Sequence, residues 1–229
     1  MPIRKQTGNM YIFVSHTWNA IKGTCPHECS YCYMAAMAER FPTLKDMPLR
    51  LDEKELKSRL GKNNFIFVGS STDMFSEDIP AAWIIKTLDH CREYPKNKYI
   101  FQSKNPLRFH EFKEYFPINT ILGTTIETDN ASYEALNISK APGIMARVEA
   151  MGRIDGFKKM ITIEPIIDFN LDPLTEQIKA CKPSWVNLGA DSTRNGLPEP
   201  DQDKIKALVE NLQAFTDIHE KSNLARLME

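Results

Sequence analysis

The chain has 229 residues, 42% hydrophobic and 26% charged, a globular balance that argues against a disordered, collagenous or disulfide-dense protein and favours one domain, residues 1–229 with a core over about 10–219. Its 29 Lys and Arg against 30 Asp and Glu leave a formal charge of −1, so no whole-molecule field draws it to nucleic acid or to an anionic membrane, although a local basic patch stays open. Five cysteines are too few for a stapled scaffold, and Cys25, Cys29 and Cys32 fall in one short segment, which points to ligation rather than to disulfides.

After Arg4 and Lys5, the apolar run from Tyr11 to Val14 is far shorter than the core of an export signal. No stretch approaches the ~18 to 20 apolar residues of a membrane span, so the expected location is the cytoplasm. In chain order, short apolar runs predict strands over 11–15, 65–69, 99–102, 120–125, 160–163 and 185–188. Helix-length patterns lie between and after them, over 30–41, 80–93, 106–115, 141–153, 174–181 and 201–219. Pro80 and Pro106 suit first helical turns, and Asp201 suits an N-terminal cap. Nearly continuous apolar strands suit burial on both faces of a parallel sheet. Strand then helix, six times over, predicts an α/β fold, a partial (βα)6 TIM-like barrel with a parallel sheet. The C-terminal ends of its strands are where chemistry is expected to gather.

The first strand leads toward Gly23-Thr24-Cys25-Pro26-His27-Glu28-Cys29-Ser30-Tyr31-Cys32. Thiolates at spacings of four and three can converge on a soft site, either zinc or an iron-sulfur cluster. A structural zinc wants four ligands, and the fourth would have to come from His27, His16 or a distant residue. A cubane held by three cysteines instead keeps one iron open. With Tyr31 just before the last cysteine, Cys25-x-x-x-Cys29-x-x-Cys32 resembles the signature of the radical S-adenosylmethionine (radical SAM) superfamily. The resemblance implies that Cys25, Cys29 and Cys32 hold a 4Fe–4S cluster whose open iron takes the amino and carboxylate groups of S-adenosylmethionine. It further implies reductive cleavage to a 5′-deoxyadenosyl radical, hydrogen abstraction from a substrate, and Tyr31 against the adenine. A low-potential electron donor of flavodoxin or ferredoxin type is the partner it implies.

Polar strand ends should then contact the cofactor. Strand two ends in Gly69-Ser70-Ser71-Thr72-Asp73, where the superfamily usually has a Gly-Gly-Glu-like segment for the methionine amino group. Ser70, Ser71 and Asp73 stand in for it. Thr125 and Glu127, on one side of the next strand but one under a two-residue period, resemble the superfamily's ribose contacts. Arg147, in the following helix, resembles an arginine that pairs with the methionine carboxylate, for which a guanidinium fork is suited. Lys104, Glu164, Asp191 and Arg194 end or follow the remaining strands and are candidates for substrate positioning or proton transfer.

Cys91 and Cys181 sit in helical patterns and read as buried thiols. His16-Thr17-Trp18-Asn19, the stretch from Phe67 to Phe75, Ile163-Glu164-Pro165 and the stretch from Trp185 to Gly189 resemble a phage-associated radical SAM family of undetermined function. That family is similar to the spore photoproduct lyases in its compact barrel. The expected function is a radical SAM enzyme with an unidentified substrate. The alternatives are a zinc-stabilised binding module, or a nucleic-acid modification or repair factor using the same cluster.

Overall fold

A computed structural model describes residues 3–5, 11–129 and 138–229. The strands are β1 (Arg4–Lys5), β2 (His16–Trp18), β3 (Ile21–Lys22), β4 (Arg50–Leu51), β5 (Phe65–Val68), β6 (Lys98–Gln102), β7 (Thr120–Thr125), β8 (Lys158–Ile163), β9 (Trp185–Leu188) and β10 (Asp217–Glu220). The helices are α1 (Tyr33–Arg40), α2 (Ala81–Arg92), α3 (Leu107–Glu111), α4 (Ile144–Arg153), α5 (Leu171–Ala180) and α6 (Gln202–Gln213). Strands β2, β5, β6, β7, β8, β9 and β10 lie side by side in that order, all parallel, with β1 antiparallel on the β2 edge. Strands β3 and β4 form a separate antiparallel pair. The α/β fold with a parallel sheet is therefore present, with seven parallel strands in place of six.

Continuous apolar strands form here because both faces are covered. On the outer face Ile66, Val68, Tyr99, Phe101, Leu122, Ile161, Val186 and Leu188 pack against Ile84, Leu88, Phe109, Val148, Met151, Ile178, Leu208 and Leu212 of the helices. The inner face holds a second cluster of Phe67, Ile100, Ile121 and Met160, closed by Tyr11 and Val14. At Gly123 of β7 a Cβ would stand 2.9 Å from the Met160 methyl, which would have to shift.

Two expected elements differ. Residues 11–15 form a turn, with Val14 N–H donating to Tyr11 O at 3.0 Å, and the strand follows at His16. The run is apolar because its rings fill the N-terminal end of the curved sheet. Phe13 lies 5.1 Å from Phe65 of β5, 5.4 Å from Trp185 of β9 and 5.9 Å from His219 of β10, so one ring spans strands far apart in sheet order. The expected helix over 201–219 ends at Gln213, and the chain re-enters the sheet as β10. Asp201 caps α6, accepting from Lys204 N–H at 2.8 Å. No helix among the described residues is long and apolar enough to cross a membrane.

Candidate functional site

The cysteine segment connects β3 to α1 at the C-terminal side of the sheet, and its neighbours fix its path. At Gly23 (φ +128°) a Cβ would meet Leu49 Cα and Pro48 O at 2.7 Å, so only glycine allows this close approach. Thr72, just beyond β5, donates its hydroxyl to Gly23 O at 2.7 Å. Ser30 N–H donates to Ile138 O at 2.9 Å, and Lys140 N–H to His27 O at 2.7 Å. The loop is thus tied at its base, middle and end.

Two of the thiols have backbone donors. The backbone amides of His27 and Asp73 favour the thiolate of Cys25, and those of Met34 and Ala35, at the N-terminus of α1, favour that of Cys32. Cys29 Sγ lies 3.1 Å from Ser139 Oγ. Burial nevertheless pushes the Cys25 thiol up to about 12 and raises that of Cys32. Thiolates therefore need a positive centre to form here. The three cysteines line one cleft of about 1200 Å³ together with Asn19, Ser70 and Ser71. Among the described residues no three His, Cys, Asp or Glu side chains close around a point that could hold a single metal ion. A tetrahedral zinc draws every sulfur to within about 2.3 Å of one centre, whereas a cubane takes each thiolate on a different iron. Three thiols lining a cleft of this size leave room for a cubane.

Beside the loop lies a buried charge cluster. Glu127, beyond the end of β7, is 0% exposed. It accepts from Arg147 Nη1 at 2.9 Å, from the Lys104 ammonium and from the Tyr31 hydroxyl. Burial alone would raise its pKa, but the charges of Lys104 and then Arg147 outweigh burial and hold the carboxyl far below the usual carboxylate range. The Lys104 ammonium also contacts the Tyr31 hydroxyl. Arg147 donates further to Thr125 O at 3.1 Å and Pro142 O at 2.6 Å.

Of the residues nominated from the sequence, the structure brings Tyr31, Lys104, Glu127 and Arg147 together, and Cys25, Cys29, Cys32, Ser70 and Ser71 around the cleft. Ser70 Oγ accepts from Asn19 Nδ2 at 3.2 Å, and Ser71 N–H donates to Asn19 Oδ1 at 3.3 Å. Thr125 Oγ1 accepts from Gln102 Nε2 at 3.1 Å. Gln102 Oε1 in turn accepts from the Tyr11 hydroxyl at 2.7 Å, which lies 2.8 Å from Thr162 Oγ1. The Asp73 carboxylate accepts from His27 Nε2 at 2.9 Å, Ser103 Oγ at 3.0 Å, Lys104 N–H at 2.8 Å and Phe75 N–H at 3.0 Å.

The four substrate-side candidates are not gathered at one point. Lys104 is in the buried cluster. Glu164 pairs with Lys221 at 2.6 Å and accepts from Asn223 at 2.9 Å. Asp191 folds its own loop, accepting from Thr193 N–H at 3.1 Å and Asn195 N–H at 2.5 Å. Arg194 is exposed, with φ 53°. Sequence reasoning missed Tyr11, Gln102, Ser139, Lys221 and Asn223. Only Gln102 carried a signal, its place at a strand end; the others reach the site from segments whose pattern marks nothing.

The family model described as "Protein of unknown function (DUF5131)" matches residues 10–199. No curated protein matches the chain in sequence. Among solved structures, a spore photoproduct lyase variant with bound AdoMet and dinucleoside spore photoproduct aligns with a TM-score of 0.56 at 12% identity, over 93% of this chain and 66% of that one. Two further spore photoproduct lyase variants align with TM-scores of 0.63 and 0.61, at 11% and 13% identity, over 95% of this chain and 80% and 81% of theirs. The chain thus spans just under two thirds of the first of these proteins. The likeness establishes a shared α/β barrel fold.

Proposed function

We propose that this chain, which belongs to the DUF5131 family, is a radical S-adenosylmethionine enzyme. The observation that carries the reading is the fixed three-cysteine loop, with backbone donors at Cys25 and Cys32 and Ser139 beside Cys29, at the strand-end mouth of a parallel α/β barrel. It is supported by the AdoMet bound in a structure of the same fold. Cys25, Cys29 and Cys32 would hold a 4Fe–4S cluster, with no protein ligand for the fourth iron. When bound, that cluster and S-adenosylmethionine supply the electron transfer and carbon–sulfur cleavage that give a 5′-deoxyadenosyl radical.

The chain's own residues bind and orient. Ser70 and Ser71 stand at the cleft beside the cysteines and serve the cofactor's ammonium group. Thr125 and Glu127 serve its ribose and Tyr31 its adenine, while Arg147 holds Glu127 ionised and in place. Lys104, Glu164, Asp191 and Arg194 remain the substrate-side residues. The aromatic packing of Tyr11, Phe13, Phe65 and Trp185 closes the far end of the barrel against water. A low-potential flavodoxin- or ferredoxin-type donor and a cytoplasmic setting complete the reading. A nucleic-acid component as substrate is a second reading, favoured by the dinucleoside spore photoproduct bound in three structures of this fold.

The test is anaerobic reconstitution with iron and sulfide, then reduction in the presence of S-adenosylmethionine. The wild-type chain is expected to hold four irons and release 5′-deoxyadenosine, and Cys29→Ala to lose both the cluster absorbance and the product. A wild-type chain that binds one zinc and no iron overturns the reading.

A further inference from the structure

The two-residue alternation of the strands sorts the inner face of the barrel into layers. Thr125, Thr162, Asn187 and His219 are register partners from β7 to β10. They face inward, since the Tyr11 hydroxyl lies 2.8 Å from Thr162 Oγ1 and the His219 ring 5.9 Å from Phe13. Two residues further along the same strands come Glu127, Glu164, Gly189 and Lys221, and Lys104 comes two beyond Gln102. The rim of the barrel therefore carries two ion pairs, and they differ. In the first, Lys104 donates to both Glu127 and Tyr31, and Glu127 is fully buried. In the second, Lys221 Nζ meets Glu164 Oε2 at 2.6 Å, and the two side chains keep 12% and 16% exposure. Lys221 N–H extends the ladder to Leu188 O at 2.8 Å, which keeps its side chain on the inner face. Its ammonium accordingly stands 5.2 Å from the centre of the Tyr11 ring. The Glu164 carboxyl lies over Gly189, where a Cβ would come within 3.0 Å of it.

Acceptors around this second pair are spent and donors are not. Glu164 accepts from Lys221, from Asn223 Nδ2 at 2.9 Å and from the Ser192 hydroxyl at 3.4 Å. Among the described residues the Lys221 ammonium has one hydrogen-bond acceptor, Glu164, so two of its three N–H groups remain for a ligand. Beside the Tyr11 hydroxyl, Gln102 uses one amide N–H on Thr125 and keeps the other. We propose that Lys221 is a substrate-binding residue whose ammonium takes an oxyanion, a carboxylate or a phosphate group, at the mouth of the barrel, and that Glu164 positions it. A surplus of donors selects an acceptor-rich group, and a charged acceptor makes the stronger bond. An oxyanion bonded to the ammonium is nearer to that cation than to the Glu164 carboxylate, so the neutral pair still attracts it. That the oxyanion belongs to a substrate rests on the function proposed above; that the site binds one rests on the rim geometry.

The probes are inorganic phosphate and acetate, titrated into the iron-free full chain at an ionic strength held constant with chloride and followed by thermal unfolding. The wild type should show a saturable rise in Tm, phosphate indicating a phosphate ester and acetate a carboxylate on the substrate. Lys221→Met combined with Glu164→Gln removes both charges together, so that neither is left alone in the fold. It should weaken the apparent dissociation constant by roughly tenfold or more, as loss of a hydrogen bond to a charged group does. Lys221→Gln keeps a neutral donor for Glu164 and should show the same loss, whereas Lys221→Arg keeps the cation and should retain the rise. Phosphate excluded from protein surfaces stabilises folded states in general. An equal rise in the wild type and in the variants without the cation therefore overturns the inference, as does no rise with either anion. A chain that binds the anion through Lys221 but releases no 5′-deoxyadenosine after reconstitution overturns the function and leaves the site; the reverse result leaves the function and removes the site.

Discussion

A carboxylate with no exposure survives in the ionised form only where cations replace the lost water, and at Glu127 Lys104 and Arg147 do so. Because the folded pKa lies below the unfolded one, the ionised cluster adds stability above the unfolded carboxylate value, about 4.3. That contribution is lost as pH falls through the depressed folded value. Glu127→Gln removes the charge but keeps the shape, leaving Lys104 and Arg147 facing each other without an anion. It should destabilise the chain by about 3–5 kcal/mol at pH 7 and flatten the acid limb of the stability curve. Urea midpoints at pH 7 and below pH 4 measure both effects, and an unchanged midpoint at pH 7 would contradict the assignment. The two-residue period of β7 nominated Glu127 together with Thr125 in the sequence. Its partners were not legible, because period fixes a face and not the distance to Lys104 or Arg147. Arg147, expected to meet the cofactor, is 1% exposed and spends its fork on Glu127 and on the Thr125 and Pro142 carbonyls. Asp73, expected at the ammonium group, is surrounded by protein donors for the same reason: polar residues at strand ends satisfy one another before they satisfy a ligand.

Among the elements, the parallel strands were legible because burial on both faces leaves an unbroken apolar run. The two errors have opposite physical origins. Residues 11–14 are apolar without pairing in the sheet, since Tyr11 and Phe13 stack at 5.4 Å and plug its curved inner face. Strand β10 pairs fully with β9, Asp217 against Trp185 through Glu220 against Leu188. Yet its sequence Asp-Ile-His-Glu is polar, as suits an edge strand, and it reads as the tail of α6. The cysteine loop was legible as a candidate ligand set but not as a braced structure. Its brace begins at Gly23, where backbone touches backbone. Gly23→Ala would place a Cβ against Pro48 and Leu49 in a conformation that side chains rarely adopt. The expected cost is about 1–3 kcal/mol by urea unfolding, with iron uptake per chain reduced because the loop base moves. Wild-type stability together with wild-type iron uptake would show that the close approach does not govern the loop.

At the scale of the molecule, the inner face of the sheet is divided along the strand direction. Phe65, Phe67, Trp185 and the Tyr11–Phe13 rings fill one end, and Gln102, Thr125 and Thr162 line the other through Tyr11. The barrel is thus a cup, closed by aromatic packing and polar at the strand ends where the cysteine loop lies. A net charge of −1 conceals this, because Lys104, Arg147 and Glu127 sum locally to a positive cluster beside Cys32. Ligand selection therefore rests on the cup and its loop rather than on a long-range field. A ligand that binds only the folded chain stabilises it by about 2.7 kcal/mol at one hundred times its dissociation constant. For a domain of this size that corresponds to roughly 5–11 °C in Tm. If the cysteines anchor S-adenosylmethionine through a cluster, this concentration-dependent rise should appear in the anaerobically reconstituted chain and fall below about 1 °C in the iron-free chain and in Cys29→Ala. Differential scanning fluorimetry across a titration of S-adenosylmethionine reads it directly. An equal rise with and without iron would detach cofactor binding from the cysteine loop, since the cup alone would then supply the affinity.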